Sequence, residues 1–494
     1  MIKKVALTGE IPEYHSSLLI VKMRPVVAGA GMSFAASPGA SPSAMSNPGM
    51  SVLSTFERSG LIKRVVPLSQ RGRTESDSSG LLRPLTTLAM SAERSTPDDP
   101  QSGVNIIEME RDEDVAHLRE ALAADPTVEF VSRVPVRYLS VNTRASEKGG
   151  RRPGAKARPA QGGAVALAAP PPAATMWNLR KIQWAQARAL QTFQEAVNVR
   201  VAVLDTGVDV NHPDLAGMVA DYTYQYPGVL TPSGAKDIIG HGTHVAGTIG
   251  AAINNNIGIN GICRCRLSAW KIFGDQTTFA SWQDGFVYYV EPVMYRRALA
   301  DCLDEGVDVI NLSIGGPGKP DPQERQLFNS LLANGTTVVA AMGNEREIGS
   351  PTSYPAAIPG VIAVGATGAD DTVAKFSNRG SHISLCAPGA GIWSTLPTYP
   401  GQTGFQAVPG PGGSPREGKP FRRETDYDSW DGTSMASPHV AAAAALLIAK
   451  HGNLSPSDVR GYLTQTADKV AGMSGASFSQ DYGHGRLNLL SLLS

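Results

Sequence analysis

Along residues 176–494, short apolar runs recur with amphipathic stretches between them. Residues 199–204 (VRVAVL), 266–272, 307–312, 336–341 and 361–364 read as β-strands. Helical spacing falls between them, at 241–252, 295–305 and 323–334. This alternation predicts an α/β fold with a doubly wound, mainly parallel sheet and an active site at the carboxyl ends of the strands. Residues 13–140 have a different rhythm. Segments 18–23 (LLIVKM), 104–109 (VNIIEM) and 128–138 (VEFVSRVPVRY) read as strands, and 112–124 is helical through Val115, Leu118 and Leu122. A small α+β unit is expected there, carrying a flexible Gly/Ala/Ser/Pro insertion at 28–51. Residues 1–12 form a short tail. Residues 141–175 form a Pro/Gly/Ala-rich basic linker that cannot fill a core.

With 494 residues and 42% hydrophobic positions, the chain can bury a sizeable core in at least two units. Its 44 basic and 44 acidic residues cancel, so there is no global pull towards nucleic acid or an acidic membrane. The linker basics Arg151, Arg152, Lys156 and Arg158 lack the interleaved aromatics of a nucleic-acid site. The longest apolar run, 440–449, is half of the roughly 20 residues needed to span a bilayer. The N-terminus meets Gly9, Glu10 and Pro12 rather than an apolar stretch, so no secretory leader is read. The expectation is a cytoplasmic monomer, with leaderless export as the alternative. Cys263, Cys265, Cys302 and Cys386 are too few for a disulfide scaffold and read as ordinary thiols.

Three segments carry chemistry. Asp205 ends an apolar strand before Thr206-Gly207; taken alone, such an Asp is more often a turn residue. His241 opens a helix in HGTHVAG, where a general base could face the cleft, whereas His244 reads as structural. Ser434, in GTSMASPH, begins a helix running into a buried apolar stretch, although a capping role is the plainer reading of a Ser there. Asn344 follows a strand in AAMGN and could donate an amide hydrogen to an oxyanion, or be a turn Asn.

Together these segments resemble the active-site motifs of the subtilisin-like serine peptidases: VLDTGVD around Asp205, HGTHVAG around His241 and GTSMASP around Ser434, in the order Asp, His, Ser. Further likeness lies in residues 311–316 (NLSIGG), 341–345 (AMGNE) and 482–488 (YGHGRLN). The resemblance covers essentially all of 176–494. It implies a serine endopeptidase with Asp205, His241 and Ser434 as triad and Asn344 in the oxyanion hole. It also implies that Ser313, Ile314 and Gly315 pair with extended polypeptide substrates. Ser353 would lie at the base of the primary specificity pocket and Glu345 at its rim. No cofactor is needed for the reaction, but a structural Ca2+ is implied, held by Asp214, the Asn255 side chain and the carbonyls of Ile253, Ile257 and Ile259. Residues 13–140 then resemble a ferredoxin-like inhibitory prodomain, a partner in the same chain. It would be removed by self-cleavage between Tyr138 and Ala174, with Tyr138 a candidate P1 residue. Insertions at 275–293, rich in aromatics, and at 396–427 depart from a minimal member and could reshape the cleft, as could Met342. A binding-only relative is the rival reading, but no triad position is lost.

Overall fold

The structure is a computed structural model that describes residues 11–24, 48–69, 100–139, 176–283 and 285–494. The tail up to residue 10, the tract 28–51 as far as residue 47, and the linker 141–175 lie outside the described residues.

The N-terminal unit is built from β1 (Tyr14–Met23), α1 (Pro48–Arg58), β2 (Ile62–Pro67), β3 (Val104–Met109), α2 (Asp114–Ala123) and β4 (Val128–Pro135). Its strands form a sheet in the order β2-β3-β1-β4, antiparallel throughout. Strand β2 and helix α1 were not read from the sequence; α1 takes in residues 48–51 of the tract expected to be flexible, because Leu53 and Phe56, three apart, give this segment a core-facing side. The alternation along β1 sends Leu19 and Val21 to one face, where they meet Leu53, Phe56, Leu118 and Leu122 of the helices. Ile20 points the other way and packs with Val66, Ile106, Val134 and Val293, the last from the following unit. The second face of this sheet therefore packs against the following unit. Beyond β4 the chain forms a short strand, β5 (Tyr138–Leu139).

The second unit has a seven-stranded parallel sheet. Its strands are β6 (Arg200–Asp205), β7 (Val219–Thr223), β8 (Arg266–Lys271), β11 (Val309–Leu312), β13 (Thr337–Ala341), β14 (Ile362–Thr367) and β15 (Leu385–Pro388), ordered β15-β14-β13-β11-β6-β8-β7. Side-chain alternation divides the interior in two. Val201, Val203, Val309 and Val339 face the helices α3 (His241–Gly250) and α6 (Thr433–His451). Ala202, Leu204, Ile310 and Val338 face α4 (Pro292–Asp304) and α5 (Pro322–Ala333). Helix α6 is buried almost all round. Its Ala441–Ala445 run lets it lie close against the sheet, and the order of strands reverses beside β6, which opens a crevice at the strand ends.

The two insertions fold together beside this crevice. Strands β9 (Phe273–Ala280) and β10 (Gly285–Val290) form one hairpin; β17 (Gln402–Pro409) and β18 (Pro415–Arg422) form another, and β10 pairs with β17. Strand β10 also pairs with β5, whose other edge pairs with β12 (Ile314–Gly315). The remaining pair, β16 (Ile392–Leu396) and β19 (Asp426–Trp430), leads into α6. Met342, expected near the cleft, has its side chain in the core on the α4–α5 side of the sheet and is 1% exposed. It does not shape the cleft.

Candidate active site

Asp205 is the last residue of β6 and is buried; its Oδ1 accepts the Thr206 N–H at 2.7 Å. The same oxygen lies 2.7 Å from Nδ1 of His241, the first residue of α3, which is also fully buried. No room exists for a side chain next to the histidine: a Cβ on Gly242 would lie 2.1 Å from the Gly207 carbonyl oxygen. A glycine there lets α3 close onto the turn after Asp205. His241 Nε2 is buried without a hydrogen-bond partner among the described residues.

Asp237 was missed at the sequence level. Its buried carboxylate takes the Thr206 hydroxyl at 2.7 Å and the Gly240 N–H at 2.8 Å on one oxygen. The other takes the Thr243 N–H at 2.9 Å and hydroxyl at 2.7 Å. Thr206 Oγ1 in turn accepts the Gly242 N–H at 2.9 Å. One carboxylate thereby fastens the turn bearing Asp205 to the helix start bearing His241, and it sits at the positive end of α3. The only sequence signal was an Asp four residues before His241.

Ser434 is the second residue of α6 and is buried; its hydroxyl donates to the Ser313 carbonyl at 3.0 Å. Pro438, one turn on, has no N–H for the Ser434 carbonyl. The Ser313 hydroxyl donates to that carbonyl instead, at 2.9 Å, so the proline leaves no buried acceptor unpaired. Ser313 Oγ is itself held by Asn311 Nδ2 and Ser437 Oγ, each at 2.9 Å. Asn344 Oδ1 accepts the Thr433 N–H and hydroxyl, which leaves the Nδ2 hydrogens as its donors. His244 stacks on Trp430 with ring centroids 5.3 Å apart and bonds through Nε2 to the Ile392 carbonyl. Burial pushes its pKa down to about 3, so it is neutral.

The cleft is occupied by the chain's own β5. Leu139 lies opposite Ile314 and Tyr138 opposite Gly315, while Tyr289 flanks Tyr138 on the other edge. A Cβ on Gly316 would lie 2.2 Å from the Val136 carbonyl oxygen, so a glycine is what lets the segment lie this close. The Tyr138 ring packs on Trp282 at 4.8 Å, and its hydroxyl meets the Glu345 carboxyl. Glu345 is buried, which pushes its pKa up, and it also accepts Asn378 Nδ2 at 2.8 Å. Ser353 Oγ accepts the Gly316 N–H at 3.2 Å, just beyond β12. The insertion aromatics divide their work. Phe279 and Phe286 pack on each other at 5.5 Å. Trp282 and Tyr289 flank Tyr138, and Tyr288 lines a pocket with Leu139, Ile239, Val287, Thr403 and Trp430.

Of the expected metal residues, Asp214 and Asn255 meet. Asp214 is fully buried; its Oδ1 accepts Asn255 Nδ2 at 2.6 Å, and its Oδ2 accepts the Ile259 N–H and the Tyr427 hydroxyl, each at 2.9 Å. Asn255 Oδ1 accepts the Ile257 N–H at 3.1 Å, and Ile253 is buried at the start of the same loop. All these partners are neutral. Among the described residues no basic side chain pairs with this carboxylate, a charge state that suits Ca2+, although Asn255 turns its Nδ2 and Ile259 its N–H towards it, not their oxygens.

The sequence pattern of the Subtilase family matches residues 197–485. The chain is 36% identical over 300 residues to subtilisin from Bacillus pumilus, covering 59% of this chain and 90% of that protein. It is equally similar to subtilisin E of Bacillus subtilis, 65% of whose length it spans. Among solved structures it resembles fervidolysin from Fervidobacterium pennivorans, a keratinolytic enzyme related to subtilisin. The TM-score is 0.59 at 24% identity, over 98% of this chain and 62% of that one, a likeness of fold. The chain belongs to the subtilase family and is a subtilisin-like serine peptidase.

Proposed function

We propose that the chain is an endopeptidase in which Ser434 attacks the scissile carbonyl. His241 takes the serine proton and hands it to the leaving amine, while Asp205 holds the imidazole tautomer and stabilises its charged form. The observation that carries this reading is the buried 2.7 Å bond between Asp205 Oδ1 and His241 Nδ1, at the head of the helix-and-sheet crevice that also holds Ser434. That bond assigns the Nδ1 proton and leaves Nε2 as the base. Asn344 and the Ser434 N–H serve the oxyanion. Ser313 to Gly315 bind extended polypeptide by strand addition. Ser353 and Glu345 shape a pocket for large apolar residues first and basic ones second.

Residues 13–140 act as an inhibitory prodomain that the enzyme removes itself. Support comes from Tyr138 and Leu139, which lie on Ile314 and Gly315 as a substrate strand would. A peptide residue opposite Ser313 brings its carbonyl to Ser434, and Tyr138, opposite Gly315, stands two residues before that position. On this register self-cleavage falls after Ser140 rather than at Tyr138. Asp214, Asn255 and the carbonyls of Ile253, Ile257 and Ile259 would hold a structural Ca2+, which braces the loop and takes no part in the reaction.

Fluorophosphonate labelling and N-terminal sequencing test this reading. Wild type should label and lose its N-terminal unit. Ser434→Ala should do neither while remaining folded. Labelling of a folded Ser434→Ala protein would overturn the assignment.

A further inference from the structure

Arg137 immediately precedes the cleft strand; its Nη1 donates to the Val136 carbonyl at 3.0 Å, but its other side-chain bonds cross to the second unit. Its Nε and Nη2 donate to the two oxygens of Glu324, at 3.2 and 2.9 Å, and its Nη1 donates to the Gly318 carbonyl at 2.8 Å. The two charged groups are only 2% and 1% exposed. Glu324 lies in the first turn of α5 and also accepts the Tyr295 hydroxyl at 3.1 Å. Next to it, Arg296 pairs with Asp321 out of water. Two guanidinium groups and two carboxylates therefore balance in one buried cluster. Of the four, only Arg137 belongs to the departing unit.

We propose that Glu324, with Tyr295 and the Gly318 carbonyl, forms a substrate subsite selective for arginine at P4. This rests on the reading above that residues 13–140 leave the cleft. Their departure removes one positive charge from the cluster and leaves one carboxylate in excess. The Glu324 carboxylate, the Tyr295 hydroxyl and the Gly318 carbonyl then face the emptied place with an unbalanced negative charge, so the site favours a cationic replacement. Its position on the substrate follows from the register. With the residue opposite Ser313 taken as P1, Leu139 stands at P2, Tyr138 at P3 and Arg137 at P4. The Val290 N–H holds the Arg137 carbonyl at 2.9 Å, which fixes the backbone from which the side chain departs. The ligand geometry favours arginine over lysine. A forked guanidinium meets both carboxylate oxygens and the Gly318 carbonyl at once, whereas an ammonium is a single point of charge.

The test uses full-length protein, purified and allowed to mature, with its N-terminus sequenced. Its substrates are fluorogenic peptides carrying the chain's own sequence 134–141 with Arg, Lys, citrulline or Ala at P4. Wild type should cleave the Arg peptide with kcat/KM roughly 10- to 100-fold above the Ala peptide, the scale of a desolvated charge pair. Lys should fall between them, and citrulline, which keeps the shape without the charge, should lie near Ala. Glu324→Gln should lose the Arg-over-Ala ratio. Equal rates on the four peptides by matured wild type would overturn the subsite and leave the prodomain reading standing. An Arg preference that survives in Glu324→Gln would also overturn it. If Glu324→Gln does not accumulate, the citrulline peptide on wild type decides. A protein that keeps its original N-terminus and cleaves none of the peptides would overturn the prodomain reading, and the subsite with it.

Discussion

Asn344 Oδ1 accepts both the N–H and the hydroxyl of Thr433, each at 2.9 Å. The residue before the serine thus orients the amide proposed to bind the oxyanion. The Thr433 hydroxyl also accepts the Gly343 N–H at 3.1 Å, so both residues leading into the oxyanion site depend on it. Thr433→Ala should lower kcat about tenfold with little change in KM, the signature of an interaction made in the transition state. Asn344→Ala should cost more; removing the corresponding donor from subtilisin itself lowers kcat by about 10²–10³, which sets the scale. A rise in KM with kcat intact, in steady-state kinetics, would assign Thr433 to ground-state binding instead.

Acid should weaken the peptidase unit through two buried histidines. Burial lowers the pKa of His244 to about 3 and of His439 to about 4. Burial holds His439 neutral, although its Nδ1 bonds the Met435 carbonyl at 2.8 Å, and its Nε2 lies 2.9 Å from the Asn178 amide nitrogen. In the unfolded chain both titrate near 6.5. Between those values the unfolded state binds protons that the native state does not, so stability falls as pH falls. Each histidine contributes about 1.4 kcal/mol per pH unit over that window. Melting curves of Ser434→Ala should drop steadily from pH 6.5 to 4.5, and His439→Gln should flatten the slope. A melting temperature constant over that range would contradict this.

The Arg137–Glu324 pair should also anchor the N-terminal unit. Breaking a buried ion pair by removing one partner typically costs about 3–5 kcal/mol. In a Ser434→Ala background, Arg137→Ala should make residues 13–140 markedly more sensitive to added trypsin, while the peptidase unit resists as before. Unchanged digestion kinetics would show that the sheet face around Ile20 and Val293 carries the docking alone.

Calcium should stabilise the loop beside Asp214. Millimolar Ca2+ should raise the melting temperature of Ser434→Ala and EDTA should lower it, because a ligand that binds only the native state shifts unfolding by mass action. Asp214→Asn should remove that response. Identical melting curves with Ca2+ and with EDTA would exclude the site.

The centre of the parallel sheet was legible because β6, β8, β11, β13 and β14 are short continuous apolar runs, the pattern left by burial on both faces; the edge strands β7, partly exposed, and β15, four residues long, were not read. Asp205, His241, Ser434 and Asn344 could be named because the runs around them resemble a family's motifs in order; each residue alone reads more plainly as a turn, cap or structural residue. Asp237 was not legible. It acts through four neutral donors brought together only by the fold, and an isolated Asp in a loop carries no pattern. Glu324 was hidden for a related reason. It looks like an ordinary acid in the first turn of a helix, and its partner lies 187 residues away. The pairing of the two insertions was equally invisible, since β10 and β17 are joined by register and not by proximity in the chain.

Strand β5 is hydrogen-bonded along both edges, by β12 on one side and β10 on the other. A peptide held this way must surrender its own sheet or helix partners before it can enter, because both rows of its backbone groups are claimed by the walls. If substrates bind there as β5 does, the slot acts as a conformational filter: folded proteins would pass it only at segments able to unravel locally, whereas denatured chains would enter directly.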